Sequence, residues 1–91
     1  MLTLNDFKAA RSVLSGVILD THLVYSSAFS RATGNHVYLK PENMQVTGAY
    51  KIRGAYYKIS TLSEEEKSRG LVTASAGNHA QGVAYAAQHA G

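Results

Sequence analysis

Apolar residues at Phe7, Ala10, Leu14, Val17 and Ile18 recur at the spacing of one helical face, and Thr3 followed by Asp6 supplies a capping box ahead of them. The pattern predicts a first helix that Gly16 ends or frays. Thr21 to Ser27 carries no clear period. Ala28 to Thr33 predicts a short helix stopped by Gly34, and Val37-Tyr38-Leu39-Lys40, held between Asn35 and Pro41, predicts a strand. Lys40 and Glu42 read as its solvated end, and Asn43 to Gly48 as a loop. Helical spacing returns at Ile52, Ala55, Tyr56, Ile59 and Leu62, so a second long helix begins near Tyr50. Ser63 with Glu66 repeats the capping box, and the Glu64-Glu65-Glu66 run sits in a first turn, where the helix dipole favours negative charge. Gly70 closes that helix. Leu71 to Ala74 predicts a strand, Ser75 to Asn78 a loop, and the small-residue stripe Ala80, Val83, Ala84 and Ala87 a helix that lies close to a sheet. The alternation defines an α/β chain.

Two stretches carry candidate chemistry. Thr47-Gly48-Ala49-Tyr50-Lys51-Ile52-Arg53-Gly54-Ala55 sets one lysine among small residues at what reads as a strand-to-helix junction. A lysine beside an apolar face loses its proton more readily and can attack a carbonyl to form an imine; an ordinary lysine on an amphipathic helix would look the same by residue type alone. In the second stretch, Ser75 to His79, a loop leading into a helix start leaves backbone N–H groups free to receive an anion. It is neither a Gly-Lys-Ser/Thr phosphate loop nor a Gly-x-Gly-x-x-Gly turn, and a plain turn remains its alternative. Thr47 and Gly48 either line a site or simply make the turn before Lys51. His22 and His36 stand apart, without metal-ligand spacing, and predict no metal site.

Composition narrows the classes. The 91 residues hold no cysteine, so neither a disulfide framework nor a thiolate metal centre is available, and a reducing cytoplasm suits the chain. The net charge of +3 comes from basic residues scattered from Lys8 to Arg69 rather than gathered in a stripe, which argues against nucleic acid. Met1 to Leu4 has no basic lead or long apolar run, and no segment reads as membrane-spanning, so the expectation is a soluble cytoplasmic protein.

Glu42-Asn43-Met44-Gln45 followed by Thr47 to Ala55 resembles the pyridoxal-phosphate attachment segment of the serine and threonine dehydratases, a branch of the fold-type II enzymes, and Ser75-Ala76-Gly77-Asn78-His79-Ala80-Gln81-Gly82 resembles the second signature of that family. The resemblance covers the chain from Val37 onward; Ala49 stands where many relatives carry Ser. It implies the tryptophan-synthase-β-like fold of fold-type II, incomplete here, with residues 1–70 in the larger cofactor-binding domain and 71–91 opening the smaller substrate domain. Lys51 would be the Schiff-base lysine, and the Asn78 amide would reach the cofactor's ring hydroxyl. Ser75, Gly77, Asn78 and His79 would hold the substrate carboxylate, with the role of His79 divided between chemistry and packing. The implied reaction is PLP-dependent dehydration and deamination of L-threonine to 2-oxobutanoate and ammonia, or of L-serine to pyruvate, in a homo-oligomer. A serine racemase or serine dehydratase would share both signatures, and a non-catalytic association module remains a different class of answer. Racemases of the family carry a second serine where this chain has Ala76. The family's glycine-rich phosphate loop and its hydroxyl partner for the pyridine nitrogen are absent from these residues, so the chain reads as an N-terminal fragment.

Overall fold

The computed structural model describes residues 1–91. Helix α1 spans Leu4–Leu14, and its capping box is complete: the Thr3 side chain accepts from the Asp6 N–H, and Asp6 in turn accepts from the Thr3 N–H at 2.6 Å. Of its apolar stripe only Leu14 is buried, while Phe7 stays largely exposed. Beyond it, β1 (Val24–Tyr25) pairs antiparallel with β2 (Tyr38–Leu39), with Val24 opposite Leu39 and Tyr25 opposite Tyr38. The strand β1 falls in the stretch without a period, and two residues are too few to show one. Between the strands, α2 (Ser27–Thr33) starts on the Ser26 side chain and ends at Gly34.

A 3-10 turn at Glu42–Met44 and a tight turn through Gly48 lead into α3, Lys51–Ser60. Lys51 therefore follows a turn, not a strand, which corrects the strand-to-helix junction. Gly48 adopts φ 73°, a left-handed conformation that a side chain would strain. Helix α3 buries Ile52, Ala55 and Ile59 of the stripe its spacing predicts, and Tyr56 and Leu62 of that stripe are half-buried. Helix α4, Glu64–Ser68, begins on the predicted Ser63–Glu66 capping box.

Residues 71–74 form no strand. The segment is β-prone, but no neighbouring strand pairs with it, and Val72 is fully exposed. Helix α5, Asn78–Ala90, packs against α3 rather than a sheet. Its contact face is Gly82 and Ala86, offset from the predicted stripe, and Ala84 of that stripe is exposed. Gly82 lets the two helices meet closely: a Cβ there would lie 3.2 Å from the Ile52 backbone nitrogen. The α3–α5 seam, centred on the fully buried Ile52, is the core of the molecule. Each isoleucine buried along it contributes about 2 kcal/mol. No helix is long and apolar enough to cross a membrane.

Candidate active site

Lys51 is the first residue of α3 and the turn at residues 74–77 precedes α5, so the seam that joins the two helices also brings their starts together. Lys51 and Ala74 to His79 line one open hollow of about 460 Å³. Both sequence-predicted stretches thus meet at one place, including Lys51, Ser75, Gly77, Asn78 and His79. The lysine is exposed, and its Nζ lies 5.1 Å from the centroid of the Tyr50 ring. The apolar surround that would favour a neutral amine is not supplied by the lining, where Ala74 and Ala76 are the only apolar residues.

Across the hollow, the Ser75 hydroxyl accepts from the Gly77 N–H at 3.1 Å and tightens the turn. No side chain caps the start of α5 at Gly77. Its first N–H groups are consequently available to an anion, with the helix dipole behind them. Asn78 and His79 are exposed at the rim. Thr47 is close by in sequence, and its hydroxyl is buried without a hydrogen-bond partner.

Sequence reasoning missed a polar network behind Lys51. Glu42 is not a solvated strand end: its side chain is 17% exposed and takes a fork from Arg53 of α3, at 3.1 Å from Nε and 2.6 Å from Nη2. That guanidinium holds the Glu42 carboxyl below its ordinary value of 4.5, against the opposing effect of burial. Gln45 is 4% exposed and bonds both the N–H and the C=O of Leu19. The eleven-residue spacing from Glu42 to Arg53 was the available signal, but it crosses a turn that no periodicity describes.

A primary amine, a carboxamide and uncapped helix N–H groups around one hollow are a donor set that fits an aldehyde cofactor and an anionic substrate. The class so defined, an α/β chain presenting one amine opposite an anion-receiving helix start, matches known proteins. The model of the family "Pyridoxal-phosphate dependent enzyme" matches residues 14–91. L-threonine ammonia-lyase of Thermotoga maritima is 61% identical over 88 residues, which cover 97% of this chain and 22% of that protein. Among solved structures, serine racemase from Dictyostelium discoideum superposes with a TM-score of 0.88 at 41% identity, covering 97% of this chain and 29% of that one. The T.th. threonine deaminase gives a TM-score of 0.82 at 39% identity, covering 98% of this chain and 31% of its own. The chain belongs to the pyridoxal-phosphate dependent enzymes, and its fold is part of the fold-type II architecture. It spans about a fifth of the length of the curated relative it matches.

Proposed function

We propose that the chain supplies the lysine-bearing part of a threonine ammonia-lyase site, which dehydrates and deaminates L-threonine to 2-oxobutanoate and ammonia and acts on L-serine to give pyruvate. The observation that carries this is the shared hollow of Lys51 and Ser75 to His79. The likeness to a named L-threonine ammonia-lyase supports the choice of substrate.

In this reading, Lys51 Nζ holds the cofactor and later takes the proton from the substrate α-carbon. The N–H groups from Ser75 to His79 orient the substrate carboxylate, and the Asn78 amide steadies the cofactor ring. Pyridoxal phosphate, when bound, supplies an electron sink for the pair left by the broken C–H bond. Loss of the β-hydroxyl as water, followed by uptake of one water and release of ammonia, balances the reaction. The division of the chain at residue 70, a homo-oligomeric assembly and a cytoplasmic setting belong to the same proposal. Any movement of residues 71–91 relative to the rest has to carry along or open the close contact between Gly82 and Ile52.

Borohydride treatment of the full-length protein with cofactor, followed by peptide mapping, tests the assignment. The expected label is on Lys51, and Lys51→Ala is expected to lower turnover at least about a hundredfold. A label on Lys40 or Lys58 refutes the assignment, and absence of any cofactor binding would favour a non-catalytic association module. A serine racemase is the second reading, favoured by the Dictyostelium superposition.

A further inference from the structure

Every hydrogen bond made by a side chain of residues 41–59 belongs to one network, built on two residues. Gln45 uses its whole bonding capacity while buried. Its Oε1 accepts from the N–H groups of Leu19 at 2.8 Å and Val46 at 3.2 Å; its Nε2 donates to the Leu19 carbonyl at 2.9 Å and to Glu42 Oε2 at 3.3 Å. Glu42 hands the chain of bonds on to Arg53. Three segments are thereby joined: the stretch after α1, the turn before α3, and α3 itself.

Lys51 lies between the two anchors, six residues after Gln45 and two before Arg53. We propose that Gln45 and Glu42 are positioning residues for Lys51: the Gln45–Leu19 clamp and the Glu42–Arg53 fork fix both ends of the segment that aims its amine into the hollow. The proposal rests on the reading of Lys51 given above. A buried amide with all its bonds satisfied has one low-energy placement, because shifting it breaks four hydrogen bonds at once and leaves its own buried amide unpaired. A flexible lysine stem emerging from a segment held at both ends starts from a fixed Cα. Neither Gln45 nor Glu42 lines the hollow, so their effect on chemistry passes through the backbone.

The test uses full-length protein with Gln45→Met, which keeps the volume and loses the bonds, and with Glu42→Gln, which keeps an acceptor for Arg53 and loses the charge. Hydrogen–deuterium exchange is followed in peptides covering 46–52 and 79–90, beside the rate at which borohydride-trapped cofactor accumulates on Lys51. For Gln45→Met, exchange in 46–52 is expected to rise roughly tenfold, as for loss of one net hydrogen bond, with 79–90 unchanged. Cofactor attachment is expected to slow by a similar factor, and kcat to fall while KM holds. Glu42→Gln is expected to show the same pattern more weakly, and it carries the test if Gln45→Met does not fold. A uniform rise of exchange in both peptides, or an unchanged attachment rate, overturns the proposal. If the unmodified protein attaches no cofactor at Lys51 while exchange in 46–52 responds selectively, the clamp stands and the functional reading falls.

Discussion

Glu42 draws its lowered proton affinity first from the hydrogen bonds of Arg53, then from Gln45 and the nearby charges of Arg53 and Lys40, while burial pulls the other way. A carboxyl whose folded value is depressed contributes stability that is fully present above its unfolded value and is lost as pH falls through the folded one. Three other carboxyls are lowered too, Asp6, Asp20 and Glu66, so the contribution of Glu42 has to be read as a difference. The stability gap between the unmodified protein and Glu42→Gln should be constant above its ordinary value of 4.5 and should shrink below it, as measured by urea midpoints across pH. Ala76 raises a separate question at this scale, since it lines the same hollow as Lys51 and its side chain carries no exchangeable proton. If Lys51 has the role proposed for it and serves one face of the substrate carbon, protonation should be one-sided and elimination should dominate. Ammonia and a 2-oxo acid are the expected main products of the full-length enzyme, with Ala76→Ser raising racemisation from a low base. Chiral chromatography of L-serine reactions checks this, and abundant D-serine from the unmodified enzyme would favour the racemase reading. Both candidate stretches were legible because their residues are contiguous, whereas Gln45 was not, since its partner Leu19 is 26 positions away and bonds through its backbone.

Among the elements, the pairing of α3 with α5 makes two glycine substitutions differ in sign. Alanine in place of a helical glycine gains about 1 kcal/mol from propensity. At Gly54 nothing lies within 4 Å of the new Cβ, so Gly54→Ala should stabilise by up to that amount. At Gly82 the Cβ would meet the Ile52 nitrogen at 3.2 Å and both Ala55 Cβ and Ile52 Cα at 3.3 Å. Two of those three atoms are backbone in the middle of the core and cannot move aside. Overpacking costs about 1–3 kcal/mol, enough to outweigh the propensity gain, so Gly82→Ala should lower stability by roughly 1 kcal/mol. Urea midpoints of the two variants, measured in one background, decide the signs. The same seam explains what the sequence could and could not reveal about the elements. Both capping boxes and the α3 stripe were readable, because caps and helical periods are local. The face of α5 was displaced because Gly82 carries no hydrophobic side chain to mark it, and 71–74 looked like a strand because propensity is local while a ladder needs a partner.

At the scale of the molecule, nine of 91 residues are buried, and Phe7, Leu23, Phe29, Tyr38 and Val72 are all exposed. A compact protein of 9.8 kDa would present about 5,200 Å² of surface. This chain presents 6763 Å². Its radius of gyration is 16.0 Å, where a compact domain of the same length would have about 12 Å. One seam between two helices, with a two-stranded ribbon and α1 loosely attached, offers little burial against a conformational entropy cost of about 1–2 kcal/mol per residue. Residues 1–91 prepared alone should therefore unfold at low urea with a broad transition and bind a hydrophobic dye, unlike a cooperative domain of this size. Lys51 and residues 75–79 would then be held together only part of the time, and the phosphate loop and pyridine partner expected by family resemblance are not among these residues. Cofactor should bind weakly, through loose reaction with amines, and threonine should not turn over. The measurements are a urea curve followed by circular dichroism, a dye titration, and an assay for 2-oxobutanoate. A sharp transition with no dye binding would show that the α3–α5 seam suffices as a core, and steady 2-oxobutanoate release by the isolated residues would show that the hollow needs no further wall.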